Sequence, residues 1–116
     1  MDKRVCLIIE AINKDLREEI CLENLAHSIN LSPSRLRHLF KEETGVTLRQ
    51  YQAKLRMEKA KHLIETSFLS IKEVRAKIGI FDKGYFNREF KRQYGYSPSQ
   101  YRKEVLIDGR NTVELR

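Results

Sequence analysis

Residues 71–101 read IKEVRAKIGIFDKGYFNREFKRQYGYSPSQY, and residues 22–51 read LENLAHSINLSPSRLRHLFKEETGVTLRQY. The earlier stretch is a copy of the later one. Leu22, Leu25, Ile29, Leu36, Phe40, Gly45 and Tyr51 recur as Ile71, Val74, Ile78, Phe86, Phe90, Gly95 and Tyr101. The offset is 49 residues before the turn and 50 after it, so one residue near Phe81 has been added in the second copy. Apolar residues and glycines are shared while the polar residues between them differ. One scaffold is therefore used twice, with two different surfaces.

Punctuation in each copy is helical. Ser32-Pro33 opens a helix, because the serine oxygen accepts from an unpaired backbone N–H and proline at the first position lacks only an N–H that would be unpaired anyway. That helix runs to about Thr44 and stops at Gly45. A shorter helix at about 22–29 precedes it and ends at Asn30, which tolerates the left-handed conformation. In the second copy Ser70 and Glu73 form a capping box, Gly79 takes the slot of Asn30, Asp82 caps a helix to about Tyr94, Gly95 ends it, and Ser97-Pro98 starts a last short helix. Between the copies, Thr47 and Gln50 cap a helix of about twenty residues reaching Thr66. Its apolar residues fall on two faces, Leu48, Tyr51 and Leu55 against Ala53, Met57, Ala60 and Ile64, as expected of a helix serving two bodies. Val5, Ile8, Ile9, Ile12 and Leu16 predict one more amphipathic helix over 2–16. Strand alternation is almost absent. The expectation is an all-α chain of seven helices, with one helical unit over 4–46, a linker helix over 47–66, a second unit over 70–104 (a domain of 1–106), and a tail over 107–116.

Composition narrows the function. With 116 residues the chain has room for one compact unit or two very small subdomains, and little for a deep enzyme pocket. Its formal net charge of +7 is uneven. Residues 1–24 carry 4 Lys and Arg against 6 Asp and Glu, whereas residues 25–103 carry 17 against 7. The repeated region thus holds the positive excess expected of a polyanion binder. Cys6 and Cys21 form no Cys-x-x-Cys pair and no zinc pattern with His27, so a reduced cytoplasmic chain is expected, with Cys6 buried and Cys21 partly exposed. The apolar run around Val5–Ile9 is too short to span a bilayer. No phosphate loop, His-Glu-x-x-His motif or apolar carboxylate pair marks an enzyme, and no cofactor or metal is expected.

A short helix, a tight turn and a second amphipathic helix make the helix-turn-helix plan, and the chain contains it twice. On the second helix of the first copy, Leu36, Leu39 and Phe40 face the core, leaving Ser34, Arg37, His38 and Lys41 on the opposite face. The equivalent face of the second copy is Gly84, Asn87, Arg88 and Lys91. A polar face on one helix is usually only solvated surface. Two such faces with matching caps at a fixed offset suit a major groove, where arginine bonds guanine in two places, asparagine does so with adenine, and lysine neutralises phosphate.

These residues resemble the DNA-binding domain of the AraC/XylS transcription regulators over roughly residues 3–104. The segments that carry the resemblance are LAHSINLSPSRLRHLFKEETGVTLRQY and IKEVRAKIGIFDKGYFNREFKRQYGYSPSQYR. The resemblance implies two recognition helices in successive major grooves of double-stranded DNA, with Ser34, Arg37 and His38 and then Gly84, Asn87 and Arg88 toward bases. Ser32, Lys41, Lys83, Lys91 and Ser97 are the expected phosphate contacts. RNA polymerase is a further candidate partner, and a monomer on an asymmetric site is expected because two unlike units need no second copy. Arg75 departs from the family pattern, standing where alanine is usual, the counterpart of Ala26, and Ile80 stands where an aromatic is common. A long arginine between close helices threatens to open the second unit unless its stem runs outward. Gly84 offers no side chain to a base, so more specificity is expected from the first unit. The alternative is a basic interaction module docking an acidic protein. Nonspecific RNA binding is disfavoured by the expectation that exposed aromatics for base stacking are missing, most aromatics taking core slots.

Overall fold

Seven helices form within residues 1–107, the stretch that the computed structural model describes. They are α1 (Lys3–Lys14), α2 (Leu22–Ser28), α3 (Pro33–Thr44), α4 (Leu48–Thr66), α5 (Ile71–Ile78), α6 (Lys83–Tyr94) and α7 (Pro98–Ile107). The expected all-α architecture is present, with a helix-turn-helix at α2–α3 and another at α5–α6. Of the tail expected over 107–116, Ile107 is instead the last residue of α7, and the rest lies outside the described residues.

The caps work as their residue types dictate. Ser32 Oγ accepts from Arg35 N at 3.2 Å, Asp82 Oδ1 from Tyr85 N at 2.9 Å, and Ser97 Oγ from Gln100 N at 3.2 Å. Both capping boxes close reciprocally. Glu73 returns to Ser70 N at 2.8 Å, and Gln50 returns to Thr47 N at 3.0 Å. At the other ends Asn30 (φ 57°) and Gly79 (φ 78°) adopt the left-handed conformation in matching slots. There Leu31 N donates to Ala26 O at 2.9 Å and Ile80 N to Arg75 O at 3.0 Å, the bond that turns a chain sharply out of a helix. α1 is shorter than its apolar stripe suggested. It ends at Lys14 because Asp15 is extended, and Leu16 packs on the core from outside the helix.

The chain divides into two compact units, Met1–Leu55 and Arg56–Arg116, and α4 runs through the division. In the first unit Val5, Ile8 and Ile12 of α1 meet Ala26 of α2, Leu36 and Phe40 of α3, and Leu48 of α4. Cys6, next to the buried Val5 but about 100° around the helix, is exposed rather than buried as its apolar neighbours implied. Gln52 is the one buried polar residue in the described core, and its side-chain amide donates to Glu18 O at 2.8 Å. In the second unit Met57, Ala60 and Ile64 of α4 join Val74, Ile78, Phe86, Phe90, Tyr101 and Val105. The apolar residues of α4 thus separate along its length, the N-terminal ones to one core and the C-terminal ones to the other.

Two polar ties hold α7 in the second unit. The Arg102 guanidinium donates to Leu69 O at 2.5 Å, and the Tyr101 hydroxyl donates to Glu65 on α4. Lys61 Nζ is 3.0 Å from the same carboxylate and stands over the rings of Tyr94 and Tyr101. Burial acts to raise the Glu65 pKa, but the Tyr101 hydroxyl and the Lys61 ammonium outweigh it and hold the carboxyl below its ordinary 4.5.

Asn30→Ala and Gly79→Ala are each expected to lower unfolding free energy by about 1–2 kcal/mol, whereas Asn30→Gly is tolerated, as measured by urea denaturation. Because the folded Glu65 pKa is depressed, its contribution is present above the unfolded value near 4.5 and is lost as pH falls through the lower folded value. Unfolding midpoints are therefore expected to drop less steeply below about pH 4.5 in Glu65→Gln than in the parent chain.

Candidate nucleic-acid interface

On α3, Leu36 and Phe40 are fully buried and Leu39 packs on the same core, so the remaining positions are turned to solvent. Ser34, Arg37, His38 and Lys41 are all exposed. α6 repeats the pattern, with Phe86 and Phe90 fully buried, Gly84, Arg88 and Lys91 exposed and Asn87 half-buried. Each helix therefore carries its expected base-facing residues at i, i+3 and i+4, with a lysine one further turn along, on one continuous strip. Ser32 and Lys83 are exposed at the N-terminal ends of these helices, and Ser97 is half-buried at the start of α7.

Local partners differ between the strips. His38 Nε2 lies 3.1 Å from Glu42 Oε2, one turn toward the C-terminus. The slot of Glu42 is taken in the second unit by Arg92, which donates to Glu89 from Nε at 3.1 Å and from Nη2 at 2.8 Å. That pair holds the Glu89 carboxyl below the usual range and so keeps it ionised and engaged. Neither Arg37 nor Arg88 is ion-paired among the described residues, which leaves both guanidinium groups available to a ligand.

Arg75 does not open the second unit. Val74 and Ile78 beside it are fully buried, while its own chain turns toward the added residue of the turn. Nη1 donates to Phe81 O at 2.8 Å and reaches Ile80 O at 3.5 Å. Its Nε is enclosed without a partner. The lengthened turn and the unusual arginine are thus one feature.

Most aromatics do take core slots, but exposed aromatics are not missing. Phe68 is 94% exposed and Phe81 is 78% exposed, and Tyr85 and Tyr96 are also on the surface. Phe68 and Phe81 lie in loops whose carbonyls are bound by Arg102 or Arg75, so the backbone is fixed while the rings face outward. Arg35 and Tyr85, in matching exposed slots on the first turns of α3 and α6, add to the candidate surface. Helical spacing reveals them, since each directly precedes a buried residue. An open cavity of about 320 Å³ in the first unit is lined by Ala11, Asp15, Glu18, Glu19, Cys21 and their neighbours, and by none of the candidate contacts. Its acidic rim repels a polyanion.

A family described as a helix-turn-helix domain matches residues 25–104. The arabinose operon regulatory protein of Escherichia coli is 35% identical over 103 residues, covering 88% of this chain and 35% of that protein. The chain belongs to the AraC-type helix-turn-helix family. Among solved AraC-type relatives, the C-terminal domain of AraT, a response regulator from Geobacillus stearothermophilus, is 33% identical with a TM-score of 0.79, covering 89% of this chain and 86% of that one. The DNA-binding domain of AdpA, a global transcriptional factor solved in complex with a target DNA, is 27% identical with a TM-score of 0.81, covering 90% and 95%. This chain spans about a third of the length of the curated AraC-type relatives it matches.

If Arg75 and Ile80 share one space, Arg75→Ala and Ile80→Phe are each destabilising by about 1–3 kcal/mol alone. Combined, they are expected to be less harmful than the sum by more than ~0.5 kcal/mol in a double-mutant cycle of urea denaturation.

Proposed function

We propose that this chain is a sequence-specific reader of double-stranded DNA in transcription regulation, with α3 and α6 entering the major groove. The observation that carries this reading is the same strip, exposed in the same register, on the second helix of both helix-turn-helix units. Bulk charge alone would not align the strips. Family membership adds support, as does the AdpA domain solved on its target DNA.

Arg37 and Arg88 are the proposed bidentate contacts to guanine, Asn87 the contact to adenine, and Ser34 and His38 further base-edge partners. Ser32, Lys41, Lys83, Lys91 and Ser97 are proposed to hold phosphates, which fix register and carry no sequence information themselves. Two unlike strips on one chain suit an asymmetric site read by a monomer. The chain needs no catalytic group for this function.

Competition binding at rising salt tests the proposal against a merely basic docking surface. A reader loses affinity linearly in log salt while keeping its preference for one duplex over a scrambled one, whereas a basic surface shows no preference at any salt. Arg37→Ala is expected to weaken specific binding by about 1–3 kcal/mol and relax one base position. Lys41→Ala is expected instead to weaken all duplexes alike and reduce the salt slope by about 1.

A further inference from the structure

We propose that Gly84 is a specificity-determining position: its missing side chain leaves the space in which Arg88 lies back along α6, so the second unit presents a prepositioned arginine to its base. The inference rests on the duplex-reading function proposed above and concerns how one of its residues is aimed.

A methyl group built on the Gly84 α-carbon would lie 3.2 Å from Nη1 of Arg88 and 3.4 Å from Oδ1 of Asp82. The guanidinium of Arg88 therefore runs one turn toward the N-terminal end of α6 and rests over the glycine. Asp82 keeps its cap to Tyr85 N at 2.9 Å and at 3.4 Å need not move, so the tight contact is with Arg88 alone. Glu89 is engaged by Arg92, and the residue one turn ahead of Arg88 is Arg92 itself, of like sign. Among the described residues Arg88 makes no ion pair, with Asp82 or any other carboxylate.

The first unit has the opposite arrangement in the same two slots. Ser34 stands where Gly84 stands, and His38, in the slot of Arg88, meets Glu42 toward the C-terminal side. Equivalent residues on the two helices are thus drawn in opposite directions along the axis. In helix-turn-helix readers the N-terminal residues of the recognition helix meet base edges. A guanidinium that already lies at that end is placed toward the base edges, and the absent Gly84 side chain leaves that rotamer open to it. From sequence alone Gly84 is a gap in the reading surface; the geometry makes it the clearance that lets Arg88 read.

Gly84→Ala adds one methyl group and separates fold from function. Alanine favours a helix over glycine, and the atom that must move is the flexible end of Arg88, so the urea midpoint is expected to stay level or rise. The probe for binding is the duplex enriched from a random library by the parent chain. Affinity for it is expected to fall roughly tenfold in Gly84→Ala, with discrimination lost at a single base position. In an Arg88→Ala background the same substitution is expected to change neither affinity nor discrimination. Unchanged discrimination in Gly84→Ala, or an equal loss with Arg88 absent, overturns the inference while leaving duplex reading intact. Failure of the parent chain to enrich any duplex overturns the reading on which it rests.

Discussion

The turn between the paired helices constrains everything built on it. In each unit a left-handed residue ends the first helix, the following N–H returns to a carbonyl five residues earlier, and a capped helix begins within three residues of that point. So short a connection leaves the second helix little choice of direction. Leu36 and Phe40, or Phe86 and Phe90, must then face inward, and the polar strip is exposed as a consequence. Loss of the turn would remove the core contacts and the exposed polar strip together.

Much of this was legible in the residues because caps and turns are local. Ser32-Pro33, Ser70 with Glu73, Thr47 with Gln50, and Asn30 and Gly79 each act through atoms within a few positions, so residue type is enough. The α3 and α6 strips were legible for the same reason, since burial of every third or fourth residue fixes what remains outside. Cys6 and Leu16 depart from expectation for local reasons, the angle around α1 and the extended Asp15, whereas one polar cluster has no local signal at all. Cys6 sits among apolar residues yet faces solvent, and Leu16 extends a stripe beyond the end of its helix. The Glu65–Tyr101–Lys61 cluster joins residues up to 40 positions apart and has no local signature.

Departures from the family pattern proved coupled rather than independent. Arg75 for alanine, Ile80 for an aromatic and the extra residue at Phe81 converge on one turn, where the guanidinium binds the carbonyls that the lengthened chain presents. Gly84 likewise leaves clear the space beside Arg88 Nη1. The second helix-turn-helix is therefore a re-equipped copy of the first, with its own turn chemistry and a differently placed side chain in the slot of His38. The duplicated skeleton sets position, and these coupled substitutions give the two units different surfaces.

The measurement that bears most directly on the account is selection of bound duplexes from a random library at near-physiological salt, followed by sequencing of the enriched pool. The account predicts an asymmetric motif with two blocks about one helical turn, ~10 base pairs, apart, one block lost in Arg37→Ala and the other in Arg88→Ala. An enriched pool with no common motif, while the chain stays folded, would contradict it.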